Sequence, residues 1–311
     1  MDMKCIEMTW LSKTSLTNLN SGEGESNLID VKKYRWKGEE YPYVSGQAMR
    51  FYMKEAIRRL TDFNSSCIPN DKGESCGDVS SCELCDLFGY MSTIEKKESK
   101  KGGAKIRVSP VKVAPAMGLL PFDENSTIDF LTRKKRSSTD SGDLKGDIVN
   151  VEMGLNIYRS GISIDVYKIG REEVINEDNG RRTIELKDLV PADERLKRII
   201  HVLDAVKNMS DYSKQARLLT DFTPDFIVCS LQPNYNHRLQ KAIEIDEGQN
   251  LNTDRLKEIL IQLKEDGSYI VAGAISGIVN NLDEVKEVLS ELGIELKLPG
   301  EAINALKEKI R

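Results

Sequence analysis

The sequence predicts an α+β fold in which a β-α-β-β-α-β core is interrupted by one long insertion. Three observations carry this prediction. Period-two alternation and helical spacing recur in the order strand, helix, two strands, helix, strand. From Asp62 to about Asn150 that rhythm gives way to cysteines, glycines and basic runs, too long a stretch for an ordinary connection. The alternation then resumes at Val151. With the insertion removed, the order is that of the ferredoxin-like, RRM-like arrangement. Recognition of single-stranded RNA is a recurring use of such a sheet, although a fold alone does not assign a function.

The first strand is Lys4 to Leu11, with Ile6, Met8 and Trp10 on one side. A polar loop follows, Asn18-Leu19-Asn20-Ser21-Gly22-Glu23-Gly24, and then a basic, aromatic stretch, Lys32-Lys33-Tyr34-Arg35-Trp36. The first helix runs from Gly46 to about Thr61. Ser45 precedes it, and a serine hydroxyl there accepts a hydrogen bond from a first-turn amide. Met49, Tyr52, Met53, Ala56, Ile57 and Leu60 form its apolar face, at offsets of three and four. Gln47, Arg50, Lys54 and Arg58 form a second stripe. A helix N-terminus with free amides, backed by cations, can grip a phosphate. An ordinary solvated helix face carries a similar stripe.

Four of the six cysteines crowd into the insertion: Cys67, Cys76, Cys82 and Cys85, among Pro69, Gly73 and Gly77. Four thiolates suit a tetrahedral structural zinc, and Cys82-Glu83-Leu84-Cys85 has the spacing of a zinc knuckle. The Cys67–Cys76 half is looser, and the competing reading is a set of unbound thiols. A site closed by four cysteines leaves no position for metal catalysis. Cys5 and Cys229 lie in apolar, strand-like runs and read as buried core thiols. The insertion also holds a lysine-rich piece, Lys96 to Lys105, a second basic run, Arg133-Lys134-Lys135-Arg136, and a strand-like alternation of Ile106, Val108, Val111 and Val113.

After the insertion, Val151, Met153, Leu155 and Ile157 alternate, Ser160-Gly161 reads as a turn, and Ile162, Ile164 and Val166 alternate again, a β-hairpin. Pro191 opens a helix with Leu196, Ile199, Ile200, Leu203 and Val206 inward. The polar loop 208–223 carries Lys214, Gln215 and Arg217, and Phe226-Ile227-Val228-Cys229 suits a central strand covered on both sides. Residues 236–311 form an acidic supporting lobe with helices at Asp283 to Leu292 and Glu301 to Ile310.

The 311 residues are 39% hydrophobic and 31% charged, with a formal charge of -5, which excludes a uniformly basic nucleic-acid binder. The first eleven residues are too polar for a signal peptide and no apolar run reaches membrane-spanning length, so a cytoplasmic location is expected.

Taken in order, the 18–22 loop, Lys33-Tyr34-Arg35, the Ser45-Gly46-Gln47 helix start, Leu87-Phe88-Gly89 after the cysteines, the leucine-bearing helix and the Pro224-led strand form a series. Over residues 1–235 this series resembles the DevR-type CRISPR-associated proteins of the RAMP superfamily, the repeating backbone subunit of type I Cascade complexes. The cysteine-bearing insertion is closer to the I-B branch than to I-A. The resemblance implies a hand-shaped protein without catalytic activity. Its ferredoxin-like palm would be 1–61 and 150–235, its fingers 62–149 and its thumb 208–223. Copies would stack as a helical filament along the guide RNA (crRNA), beside other Cascade subunits, and meet the target DNA strand through the guide. Carried over by position, Asn20, Ser21, Gly22, Arg35, Ser45, Gly46, Gln47, Arg50 and Lys54 would hold phosphate from the palm, and Lys214, Gln215 and Arg217 from the thumb. The thumb lacks the glycine pair common in relatives. Binding without sequence preference needs cations, amides and hydroxyls aimed at phosphate, which is what these residues offer.

Three other readings compete. A type III-like backbone relative would cut target RNA with an aspartate in the loop before the first helix, where Asp30 lies. A guide-processing endoribonuclease would need a general base, and the two histidines are His201, read as helix surface, and His237, in a polar loop. A zinc-dependent transcription regulator would need a base-reading helix, and none stands out.

Overall fold

A computed structural model of the chain describes residues 3–21, 28–63, 67, 75–94, 103–134, 146–178, 180–210 and 219–311. The N-terminal part contains β1 (Cys5–Thr17), β2 (Leu28–Ile29), β3 (Lys33–Trp36), β4 (Glu39–Val44) and α1 (Gly46–Arg58). The stretch predicted as an insertion holds α2 (Glu83–Phe88), β5 (Tyr90–Ile94), β6 (Gly103–Arg107), β7 (Val111–Val113), β8 (Ala116–Gly118) and β9 (Ser126–Lys134). Then come β10 (Gly146–Asp165), the paired strands β11 (Arg171–Asp178) and β12 (Arg181–Asp188), α3 (Ala192–Lys207) and β13 (Phe226–Gln232). The C-terminal part adds α4 (Thr253–Glu265), β14 (Tyr269–Ala274), α5 (Leu282–Glu291), β15 (Leu296–Lys297) and α6 (Pro299–Ile310).

The main sheet runs in the order β15-β14-β13-β1-β10-β8-β4-β3, with β2, β7 and β9 also on β10. β1 lies at its centre, antiparallel to β13 on one side and β10 on the other. Every residue of β13 is buried, as its unbroken apolar run predicts for a strand covered on both faces. One face packs Ile6, Met8, Trp10, Tyr158, Ile162 and Ile164 against Met49, Met53 and Ile57 of α1 and Val202, Leu203 and Val206 of α3. α6 joins this layer through Ala302, Ile303 and Leu306. The other face packs Leu11, Ile157, Phe226 and Val228 under Leu256, Leu260 and Leu263 of α4 and Val285 and Leu289 of α5. The acidic C-terminal segment is therefore two things: an extension of the sheet and a cover for its second face.

The hairpin predicted at Ser160-Gly161 is not formed. Residues 146–165 are one 20-residue strand, in which Ser160 pairs with Trp10 and Gly161 with Thr9. The alternation does change phase there, but because the strand is buried on both faces: Ile157 looks toward α4, while Tyr158, Ile162 and Ile164 look toward α1 and α3. Gly161 serves a close approach, since a Cβ there would meet the Gln240 side-chain oxygen at 1.7 Å. The Gln240 amide instead donates to the carbonyls of Met8 (3.1 Å) and Ile162 (3.2 Å). The neighbours of β10 on its far edge are β7 and β8, from the stretch predicted as an insertion.

Candidate nucleic-acid interface and cysteine centre

α1 starts where the sequence places it. Ser45 is the N-cap, and its hydroxyl accepts from the Ala48 amide at 3.3 Å. The Ser45 amide in turn donates to the Asn20 side chain at 2.9 Å, which straps the 18–21 loop onto the helix start. The Asn18 side-chain amide donates to the Glu152 carbonyl at 3.0 Å, and Tyr52 of α1 donates to the Leu19 carbonyl. Ser21 is exposed and its hydroxyl meets the Asn18 side chain at 3.4 Å; Gln47 is exposed on the first turn. Gly46 sits against β7, where a Cβ would come within 3.2 Å of the Val113 carbonyl. So Asn20, Ser21, Ser45, Gly46 and Gln47 converge at one end of α1. Gly22 lies outside the described residues, as do Lys214, Gln215 and Arg217.

Arg35 stands apart from this group. It is exposed on β3 and ion-paired with Glu40 at 2.8 Å. Alternation on β3 turns Tyr34 and Trp36 the other way, into a groove of about 880 Å³ shared with Glu244, Asp246 and Glu247. Lys33 pairs with Glu152 at 2.7 Å, and the same carboxylate accepts from the Val31 amide at 2.7 Å. Asp30 has one carboxylate oxygen buried with no hydrogen-bond partner among the described residues.

The cation stripe of α1 faces α2 and the cysteine loop. An Arg50 guanidinium nitrogen donates to the Phe88 carbonyl at the C-terminal end of α2. The Lys54 ammonium lies 5.5 Å from the centre of the Phe88 ring. Arg58 pairs with Glu55 and donates to the Cys67 carbonyl at 3.3 Å. Burial lowers the pKa of both Arg50 and Lys54; for Lys54, the charges of Arg50 and Arg58 lower it further, against Cys85 and Cys67.

The four insertion cysteines come together, with all four sulfurs within 4.8 Å of one another. Cys85 Sγ is 3.7 Å from Cys67 Sγ and 3.5 Å from Cys76 Sγ. A tetrahedral zinc with Zn–S bonds of about 2.3 Å requires S···S edges of about 3.8 Å, so the donor set fits. Two backbone amides already point at sulfur: Cys85 N–H at Cys82 Sγ and Cys76 N–H at Cys67 Sγ, each at 3.4 Å. The hydrogen bond with Cys82 is the main reason the Cys85 thiol sits far below the usual thiol range. Cys5 and Cys229 are fully buried and far up the thiol range through burial, as core thiols are.

An ion network fixes the centre to α3. Asp86, fully buried, accepts from Arg198 at 2.8 Å, from the Gly170 amide at 2.8 Å, and from Arg107. Burial raises its pKa while the two guanidinium groups work against the rise. Arg198 also donates to the Val79 and Ser80 carbonyls beside the cysteines. His201 is 2% exposed, which corrects its reading as helix surface. It bonds Glu83 at 2.7 Å through Nδ1 and Asp62 at 3.0 Å through Nε2, partners that satisfy a buried imidazole. The sequence did carry a signal: Glu194, Arg198 and His201 share one stripe of α3, facing the acidic residues around Cys82-Glu83-Leu84-Cys85-Asp86. His237, the other histidine, is exposed and stacks edge-on against Tyr235.

The ends of the 208–223 loop are clamped. Met209 and Phe222 are buried, the Phe222 amide donates to the Met209 carbonyl at 3.2 Å, and Thr220 bonds Thr17 of β1 at 2.8 Å. Leu219, beside the buried Thr220, is exposed. The main sheet offers no open face at its centre: Glu7, Thr9 and Leu11 of β1 are buried on the side covered by α4 and α5.

The chain belongs to the family described as CRISPR-associated negative auto-regulator DevR/Csa2, whose profile matches residues 13–235. A relative from Myxococcus xanthus (strain DK1622), the CRISPR-associated protein Cas7/Cst2/DevR, is 26% identical over 160 residues. That match covers 47% of this chain and 52% of the relative, so the chain spans about half the length of the curated relative it matches. Among solved structures, a chain of a CRISPR RNA-guided surveillance complex superposes with a TM-score of 0.58 at 15% identity, covering 99% of this chain and all of the other. A chain of a pre-nicking form of such a complex gives 0.57 at 11% identity, covering 99% of this chain and 100% of its own. At these identities the likeness is one of fold. Among the described residues, no helix is long and apolar enough to cross a membrane.

Proposed function

We propose that this protein is a non-catalytic, crRNA-binding backbone subunit of a type I surveillance complex, of the I-B branch, acting in the cytoplasm. The observation that carries the reading is the strapped end of α1 in a chain of the DevR/Csa2 family: Asn20 holds the Ser45 amide, Ser45 caps the helix, and Gln47 and Ser21 stand exposed beside it. Amides, hydroxyls and one anchored guanidinium gathered at a helix start suit phosphate oxygens and read no base. Arg50 enters this grip pre-oriented, because a guanidinium has five donors and the Phe88 carbonyl fixes its plane. Gly22 and Arg35 would extend the grip on the palm, and Lys214, Gln215 and Arg217 from the thumb.

The four-strand order β13-β1-β10-β8, with α1 and α3 on one face, is the order expected of a ferredoxin-like palm. Of residues 62–149, the part before β7 would serve as fingers, stiffened by a structural zinc on Cys67, Cys76, Cys82 and Cys85. The clamped roots of the 208–223 loop suit a thumb that reaches a neighbouring copy, so that subunits stack along the guide, contact other Cascade subunits and present the guide to a target DNA strand. Target-RNA cleavage is the second reading, favoured only by the unpartnered Asp30 oxygen. Light scattering with and without a long single-stranded RNA tests the main reading: RNA should convert small species into longer assemblies and remain uncut. An unchanged size would sink the backbone role. RNA cleavage that Asp30→Asn abolishes would replace it with the second reading.

A further inference from the structure

Zinc held by four thiolates carries a net charge of −2, and two of the four sulfur-bearing residues, Cys82 and Cys85, are only 2% exposed. A buried charge is costly unless an opposite charge or hydrogen-bond donors stand beside it. The amides of Cys76 and Cys85 supply donors but no charge. The cations come from α1. Arg58 reaches the Cys67 carbonyl, but Glu55 shares its guanidinium. Lys54, one turn earlier, has no carboxylate within ion-pair distance among the described residues, and the acidic groups that act on it are Cys85 and Cys67. Its ammonium is held over the ring of Phe88, three residues after Cys85 on α2.

We propose that Lys54 is the counter-charge of the cysteine centre, a positioning residue for the metal complex, and that it takes no part in the RNA grip. This rests on the zinc reading above. It divides the stripe of α1, which sequence spacing presents as one phosphate-binding row. Arg50 belongs to the helix start and Lys54 to the metal. The ammonium neutralises half of the −2 charge while it sits over the Phe88 ring, so the metal and the α1–α2 contact stabilise each other.

The test compares full-length wild type, Lys54→Met and Lys54→Arg. Zinc content and affinity are measured by competition with a chromophoric chelator, and RNA affinity across a salt series. Wild type should hold about one zinc per chain. Lys54→Met keeps the stem length and removes the charge, so it should bind zinc about 10- to 100-fold more weakly. At saturating cobalt it should still show thiolate-to-cobalt absorption, which separates a weakened centre from a collapsed one. Lys54→Arg should recover most of the affinity, and Lys54→Met should leave the RNA salt slope unchanged. Equal zinc affinity in Lys54→Met and wild type would overturn the proposal. So would a Lys54→Arg protein as weak as Lys54→Met, because side-chain shape rather than charge would then be at work. A shallower RNA salt slope for Lys54→Met would return the residue to the grip. A wild type that takes up no zinc would bring down the zinc reading itself, before any variant is compared.

Discussion

At its N-terminal end, α1 meets a loop of asparagine and serine; two turns further on, the same helix meets α2 and the cysteine loop. The first end is built from neutral polar groups that cap one another, Asn20 to Ser45 and Ser45 to Ala48, with Gln47 exposed beside them. The second end is built from ions: Lys54 lies over Phe88 of α2 and Arg58 reaches the Cys67 carbonyl, while Asp86, Arg198, His201 and Glu83 tie α2 to α3; Arg50, between the two ends, is anchored on the Phe88 carbonyl and belongs to the helix start. One helix can serve two tasks because its polar face rotates only slowly along its length. Residues four apart stay on one stripe while they advance about 6 Å along the axis. A stripe that looks uniform in sequence therefore passes from one neighbour to another, and the neighbour decides what each charge does.

The comparison is sharpest where it can be broken. The largest effect is expected from Asp86→Ala. It would leave Arg107 without its carboxylate and the buried Arg198 with only Glu194, and removing one partner of a buried pair costs roughly 3–5 kcal/mol. Urea denaturation should show this loss, together with faster proteolysis of the cysteine segment. Ser45→Ala removes the cap at the opposite end and should cost about 1 kcal/mol. The cysteine centre of that variant should keep its metal affinity, whereas its RNA affinity should fall. If Ser45→Ala instead loosened the metal, the two ends would not be separate.

A smaller effect is expected from pH. Burial by itself lowers the His201 pKa, but the hydrogen bonds with Glu83 and Asp62 outweigh it and raise the group above its ordinary 6.5. With the folded value above the unfolded one, the His201 contribution is fully present below about pH 6.5 and disappears as pH rises through the folded value. Wild type should therefore lose more stability than His201→Gln between about pH 6 and about pH 9. Parallel losses in the two proteins would remove His201 from the ion network that holds α2.

Much of this was legible in the sequence. α1, its Ser45 cap, its apolar face and the all-buried β13 follow from local periodicity, because each depends on residues close in sequence. The convergence of Cys67, Cys76, Cys82 and Cys85 follows from spacing and composition. What failed depended on distant partners. The change of phase at Ser160-Gly161 looked like a turn because nothing local says that α4 and α5 cover the second face of β10. His201 looked like surface because Glu83 and Asp62, which make its burial possible, lie more than a hundred residues away. The partners of Arg50 and Lys54 stayed hidden for the same reason: spacing places charges on a face but does not say what that face meets.

The most direct test of the N-terminal grip is the salt dependence of RNA binding by Arg50→Ala, measured on two single-stranded RNAs of unrelated sequence. A guanidinium that contacts one phosphate releases condensed counterions on binding, so its loss should make the slope of log affinity against log salt shallower by about 0.7. Affinity should fall by similar factors for both RNAs. An unchanged slope, or a loss confined to one of the two sequences, would contradict the assignment of this helix end to sequence-independent phosphate binding.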